Sequence, residues 1–322
     1  MRILVLGGTS FVGRAIVDDA RRTGFDVTLF SRGRTGTELF PDLRRLRGDR
    51  DTGDYAALSD GTWDAAIDVS GYVPRHVGQA MDALGGRAGR YLFISSHAVY
   101  RTDGVGPGST EDTPRRPAVR DTEELNGATY GPLKVACEDD VTARYRDRAT
   151  IVRPGKVAGP HDGQNTFTYW VRRAARGGRI ALPADPAQPV QIVDVRDLAR
   201  LVVQLLADDR PGVFHAVGPA EPTTLGGLIQ TCATAAATEI ELVPVPPHRA
   251  PPMFPLVRPH WPSQQRSPAR ARAAGLPATP LLTTAADVLA WDRARGEPPL
   301  ELGFTPAQEQ ALLAEHAPAP GC

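Results

Sequence analysis

The sequence predicts an α/β fold, a doubly wound parallel sheet followed by a small mixed C-terminal domain. Three observations predict it. Short apolar runs alternate with helical stretches through the first half of the chain, the pattern of strands joined by crossover helices. The first run, residues 3–6, is continuously apolar, as a strand covered on both faces should be. It ends in Gly7-Gly8-Thr9-Ser10-Phe11-Val12-Gly13, a glycine-rich turn that leads straight into helical spacing.

The elements follow in order. Residues 11–22 carry apolar positions at helical intervals, and residues 25–30 form a second strand. Residues 65–69 read as a strand, 77–84 as a helix and 91–94 as another strand. Glycine, proline and charge mark residues 101–129 as loop. A helix is expected over 130–145 and a strand over 150–152. Beyond residue 160 the pattern loosens: helices over 165–176, 195–206 and 225–237, strands over 190–193 and 213–217, and late helices over 283–295 and 306–315. Residues 244–268 are dense in proline, which removes backbone donors and argues against regular structure. We therefore expect residues 1–160 to form a dinucleotide-binding domain with returns near 190–217. Residues 161–322 should form mainly a substrate-binding cap and C-terminal helices.

Bulk properties narrow the class. Apolar content of 41% and charged content of 23% fit a globular protein. The formal net charge is zero, which argues against nucleic acid as the main partner. No apolar run reaches the ~18 residues of a membrane span, and a strand begins at once after Met1, so we expect no membrane association and a cytoplasmic home. Cys137, Cys232 and Cys322 are far apart and odd in number, and the histidines lack ligand spacing, so neither a disulfide framework nor a metal site is expected.

The turn at residues 7–13 makes the sheet Rossmann-like. Gly7 would allow the tight turn, Gly13 would let helix and strand approach, and the helix N-terminus would face a pyrophosphate, with Thr9, Ser10, Phe11 and Val12 lining it. The alternative is a plain β–α turn. NAD-binding folds place an acid at the end of the second strand, about 20 residues on, to hold the ribose. Here that segment is Ser31-Arg32-Gly33-Arg34. With no acid to repel a 2′-phosphate and two arginines to pair with it, NADP is preferred and NAD is the alternative. The alternative is that Arg32 and Arg34 are solvated loop charges in an arginine-rich chain.

A second signal is Tyr130-Gly131-Pro132-Leu133-Lys134. The chain holds 37 basic residues, yet only Lys134 and Lys156 are lysine. Residues i and i+4 share one helix face, so phenol and ammonium can enter the same site. A nearby cation lowers a phenol pKa, which makes tyrosine a usable proton donor and acceptor. Chance predicts about 0.04 such Tyr–Lys pairs in this composition, and the competing account is a half-buried tyrosine beside a solvated lysine.

Taken in order, Leu6 to Gly13, Gly48-Asp49, Ile94-Ser95-Ser96-His97-Ala98-Val99-Tyr100, the Tyr130/Lys134 pair, Arg153 to Pro160 and Val193 to Ala199 resemble the extended short-chain dehydrogenase/reductase superfamily, its NAD-dependent epimerase/dehydratase group, over about residues 1–240. The resemblance implies Tyr130 as catalytic acid/base. It implies Lys134 as the residue that holds the nicotinamide ribose and lowers the tyrosine pKa, and Ser96 as the partner of the reacting oxygen. It also implies Asp49 as an adenine contact with Arg50 beside it, Ser70 and Gly71 as the segment passing the cofactor, and Pro154 as part of the cofactor site. Departures bear on the substrate. Ser10 stands where a glycine is common. Ser96 is followed by His97-Ala98 rather than the acid pair of the 4,6-dehydratases. Lys156 and Val190 stand where nucleotide-sugar epimerases carry Asn and Arg.

The expected activity is an NADP-dependent reductase or dehydrogenase of a small carbonyl or alcohol, acting through Ser96, Tyr130 and Lys134. His97, Lys156 and Trp170 are candidate substrate contacts, with residues 101–129, Asn165 to Trp170, Met253, Phe254 and Trp261 as candidate walls. Two alternatives stay open: an epimerase that retains its cofactor, and a non-catalytic nucleotide sensor or RNA-binding relative. A homodimer is an open assembly. The arginine, alanine, proline and glycine bias points to a GC-rich bacterial genome and a secondary-metabolism setting, on composition alone.

Overall fold

The computed structural model describes residues 1–103, 105–258 and 264–316. It divides into two compact units. The first comprises residues 1–157, 195–217 and 266–277, and the second residues 158–194, 218–265 and 278–322. The return of 266–277 to the first unit has no counterpart in the sequence pattern.

The first unit is built on seven parallel strands. These are β1 (Arg2–Leu6), β2 (Asp26–Ser31), β3 (Arg44–Arg47), β4 (Trp63–Asp68), β5 (Ala88–Ile94), β6 (Ala149–Pro154) and an edge strand, Gly212–Ala216. From one edge the order is Gly212–Ala216, β6, β5, β4, β1, β2, β3. Every pairing is parallel. The fold is Rossmann-like. The buried positions explain the continuous apolar runs: Ile3, Leu4, Val5 and Leu6 have no solvent exposure, because helices cover both faces. On one face α1 (Phe11–Arg22) packs against helix Val195–Ala207. On the other, α2 (Pro74–Leu84) and α3 (Tyr130–Tyr145) close a core of Leu4, Leu6, Val77, Met81, Tyr91, Phe93 and Val141. The strand β3 escapes sequence pattern because it reads Arg-Arg-Leu-Arg and buries only Leu46.

The second unit has its own core. Helices Thr166–Ala175, Leu225–Ala235 and Leu281–Ala294 contribute Phe167, Trp170, Leu228, Ile229, Val288 and Leu289 to it. Strands Gly178–Leu182 and Ile240–Pro244 pair in parallel, so regular structure runs up to the proline-rich stretch. Cys137 and Cys232 are buried free thiols, and Cys322 lies outside the described residues.

Candidate active site

The chain reverses its winding direction at β1 and β4, which lie side by side, and the crevice at their carboxyl ends is where such sheets bind ligands. Two loops meet there. Gly7 follows β1 with φ of 93°, and a Cβ on it would stand 2.8 Å from the Ser70 side chain, so only glycine fits between the loops. Gly13 lies so close to the Gly7 carbonyl that no side chain could intervene. Ser10 occupies the N-cap of α1, yet its exposed side chain makes no capping bond. The first-turn N–H groups therefore keep their donors for an anion. Thr9 is buried, Phe11 and Val12 are half-buried, and Phe11 holds a φ of 27°, a conformation costly for a side-chain-bearing residue. These features fit the pyrophosphate of a dinucleotide.

The adenosine side differs from expectation in two respects. Arg50 does not stand free beside Asp49. Its guanidinium is buried and forks onto Asp68, with Nη1 to Oδ1 and Nη2 to Oδ2 both at 2.7 Å. Nor is the end of β2 without acids: Arg32 pairs with Asp51 at 2.9 Å, and Arg34 with Asp49 at 3.4 Å. Ser31, the last residue of β2, is half-buried, and its carbonyl accepts from Gly48 N at 3.3 Å. Asp49 also accepts from the Asp51 N–H at 3.0 Å. Both arginine pairs are exposed, so a phosphate could recruit the arginines at little cost.

Asp68, absent from the sequence reading, organises the cofactor loop. It is fully buried at the end of β4 and accepts from Tyr91 Oη at 2.7 Å and Ser70 N at 3.1 Å as well as from Arg50. Burial alone would push its carboxyl up, but Arg50 and Tyr91 hold it below the ordinary carboxylate range. Ser70 Oγ accepts from Arg50 at 3.0 Å and donates to Leu6 O at 3.3 Å, which ties β4 to β1.

The three candidate catalytic residues come together at the ends of β5 and α3. Ser96 caps a short 3₁₀ turn, His97–Val99, by accepting from Ala98 N at 3.1 Å. Tyr130 opens α3 near Ser96, whose side chain acts to lower the phenol pKa. Gly131 makes this approach possible, since any side chain there would collide with the Ala98 carbonyl. Lys134 is buried, and its Nζ donates to Gly71 O at 2.7 Å and Ile94 O at 2.9 Å. The rings of Phe93 and Tyr72 lie 4.5 and 5.0 Å from the same nitrogen.

One electrostatic expectation is corrected. Burial raises the Tyr130 phenol above its ordinary pKa, and the Ser96 hydrogen bond only partly offsets this. Lys134 does not lower it, because the ammonium is engaged by two backbone carbonyls and is itself pushed down by burial.

A model of the NAD dependent epimerase/dehydratase family matches residues 56–216. The chain belongs to that family. Among curated relatives, the chloroplast stem-loop binding protein of 41 kDa b from Arabidopsis thaliana is 26% identical over 251 residues, covering 73% of this chain and 63% of the relative. The 2′-dehydrokanamycin reductase of Streptomyces kanamyceticus is 28% identical over 219 residues, covering 65% of this chain and 59% of the relative. The chain therefore spans less than two thirds of the length of either. The UDP-glucuronic acid 4-epimerase of Bacillus cereus, solved with NAD, superposes with a TM-score of 0.69 at 15% identity, covering 92% of this chain and 98% of that one. That likeness shows the fold.

In this epimerase/dehydratase family member a second buried network holds the Ser96 turn. Tyr100 Oη accepts from Arg153 Nη1 and donates to His215 Nε2, while His215 Nδ1 donates to Ser267 O at 3.1 Å. Arg153 forks onto Glu138 of α3 at 2.8 and 2.6 Å, so the turn carrying Ser96 and the helix carrying Tyr130 share one ionic anchor. Pro154 ends β6 and is buried.

The proposed substrate contacts divide. His97 is half-buried beside Ser96, and Lys156 is half-buried just past β6. Trp170 is corrected to a core residue. It has no exposure, donates through Nε1 to Pro255 O at 2.9 Å, and packs edge-on to Tyr169 and Phe254. Phe254 is likewise buried, Met253 is exposed, and Trp261 lies outside the described residues. Among the described residues no helix is long and apolar enough to cross a membrane.

Proposed function

We propose that the chain is an NAD(P)-dependent oxidoreductase that reduces a small carbonyl substrate to an alcohol, with NADP as the preferred cofactor. The approach of Tyr130 to the turn that Ser96 caps, made possible by Gly131, carries this reading. The residues of the β1 and β4 loops fit a dinucleotide, whose nicotinamide supplies the hydride when bound. Ser96 orients the substrate oxygen, and Tyr130 delivers a proton to it. A tyrosine phenol is protonated at neutral pH, the form that a proton donor in the reducing direction needs. Lys134 fixes the loop at Gly71 against the end of β5 and places a positive charge under the site. The 28% identity to a reductase supports the same direction.

Two other readings have their own motives. The family description includes epimerases, which would return the hydride to the substrate and consume no cofactor. The relative with stem-loop binding in its name motivates an RNA reading, against which stands the zero net charge. One experiment separates the three: the purified chain is assayed on a carbonyl panel for NADPH consumption, with Tyr130→Phe beside it and RNA stem-loop binding measured in parallel. The expected outcome is net consumption that falls ~10²- to 10⁴-fold in Tyr130→Phe. An equally active Tyr130→Phe would sink the mechanism. Substrate interconversion without consumption would favour the epimerase.

A further inference from the structure

Four arginines lie in the segment of residues 101–129, and three of them have carboxylate partners. Arg101 meets Asp103, Arg115 meets Glu138 at 3.1 Å and Asp139 at 2.8 Å, and Arg120 meets Asp140 at 2.7 Å. Arg116 differs. Its Nε donates to Tyr100 O at 3.2 Å, and among the described residues no carboxylate pairs with its guanidinium.

Its position is fixed by backbone bonds on both sides. Arg116 N donates to Val99 O at 2.8 Å, in the turn that Ser96 caps. Three residues later Val119 N donates to Pro132 O at 3.3 Å, in the first turn of α3. The Arg116 stem lies against that turn, with Cδ 3.4 Å from where a Cβ of Gly131 would stand. The half-buried side chain thus sits between the residues that present Ser96 and those that present Tyr130. With Nε committed, the two terminal nitrogens remain as a planar pair of donors, the geometry that takes both oxygens of a carboxylate or two oxygens of a phosphate.

We infer that Arg116 recognises the substrate, and that the substrate carries an oxyanion, a carboxylate or a phosphate, near the carbon whose oxygen Tyr130 serves. This rests on the proposed role of Tyr130 for what happens at that carbon, and on Arg116 alone for the anion. The zero net charge of the chain gives no general attraction for anions, so selection falls to this local guanidinium. Oxyanion and catalytic tyrosine approached from one loop would orient a short substrate by two points.

The test has a binding arm and a turnover arm. Oxalate and inorganic phosphate are titrated by calorimetry into the NADPH-loaded full chain, as wild type, Arg116→Gln, Arg116→Lys and, as a control, Arg120→Gln. The expected result is binding that weakens ~10- to 100-fold in Arg116→Gln, the size of a lost charge-assisted pair. Arg116→Lys should fall between, because it keeps the charge and loses the fork. Arg120→Gln should match wild type. Preference for oxalate identifies a carboxylate, and preference for phosphate a phosphoryl group. Absence of binding, or equal binding by wild type and Arg116→Gln, overturns the assignment. In the turnover arm, pyruvate is compared with acetone, and dihydroxyacetone phosphate with dihydroxyacetone. Arg116→Gln should depress kcat/KM for the charged member of a pair and spare the neutral one. Anion binding that needs Arg116 alongside an active Tyr130→Phe would remove the tyrosine mechanism and leave the anion site standing. Turnover that needs Tyr130 but ignores Arg116 would do the reverse.

Discussion

Replacing Asp68 with asparagine tests the frame beneath the cofactor loop. The carboxylate is fully buried and accepts four hydrogen bonds, at 2.7 Å twice from Arg50, 2.7 Å from Tyr91 and 3.1 Å from Ser70 N. Asparagine keeps the shape but turns one acceptor into a donor, which then faces either an Arg50 nitrogen or the Tyr91 hydroxyl. Arg50, only 8% exposed, also loses its one carboxylate among the described residues. Stranding one member of a buried ion pair costs about 3–5 kcal/mol. Tyr91→Phe removes a single neutral donor and should cost ~1 kcal/mol, which calibrates the larger loss. The assay is urea unfolding, read as a shift of midpoint at constant slope. The pH dependence provides a second check. The folded pKa of Asp68 is depressed, so its stabilisation is complete above the unfolded value near ~3.9 and is lost as pH falls through the folded value. Asp68→Asn should flatten that acid limb. A loss below ~1 kcal/mol, with the limb unchanged, would refute the account of Asp68 as the anchor of the Ser70–Gly71 loop.

Two more predictions follow from the same unit. Arg32→Ala combined with Arg34→Ala should weaken NADP binding ~10- to 100-fold and NAD binding by less than about threefold, with little loss of stability because the Asp51 and Asp49 pairs are exposed. Equal weakening of both cofactors in a fluorescence titration would contradict the NADP preference. Burial pushes His215 down to about 4, so its contribution to stability is complete above ~6.5 and is lost as pH falls toward 4. Thermal unfolding across that window should show a decline in wild type that His215→Gln lacks, and parallel curves would exclude His215 as the titrating group.

What the sequence made legible was local. The run from Ile3 to Gly13 declares a buried strand, a tight turn and a helix start within eleven residues, and the structure keeps that order. Tyr130 and Lys134 lie on adjacent turns of α3, as their spacing implied, while the Lys134 nitrogen is engaged by the Gly71 and Ile94 carbonyls. What stayed hidden depends on contacts between distant residues. Arg50 and Asp68 are eighteen positions apart and meet only because the loop after β3 folds over the end of β4. Trp170 has the composition of a ligand platform, yet its exposure is set by the core around it. Gly131 carries a signal readable in the sequence. A glycine in the second position of a helix gains nothing for the helix, so it implies something pressed against that turn, here the Ala98 carbonyl. The direction of the Tyr130 pKa was beyond spacing altogether, because exclusion of water outweighs a cation whose donors are already spent.

The scarcity of lysine can now be given a physical cause at Lys134. Its pocket is bounded by the Gly71 and Ile94 carbonyls at 2.7 and 2.9 Å and by two aromatic faces. A compact ammonium can turn its donors toward carbonyls on different strands' ends while leaving its charge against the rings. A planar guanidinium, longer and with five donors fixed in a fork, would need more acceptors than this pocket supplies and would leave some buried and unmated. At exposed pairs such as Arg120–Asp140 and forked anchors such as Arg153–Glu138, the chain uses arginine. At a buried point that joins the loop after β4, the end of β5 and the helix bearing Tyr130, it uses lysine. Lys134 is thereby the tie that holds these three segments together.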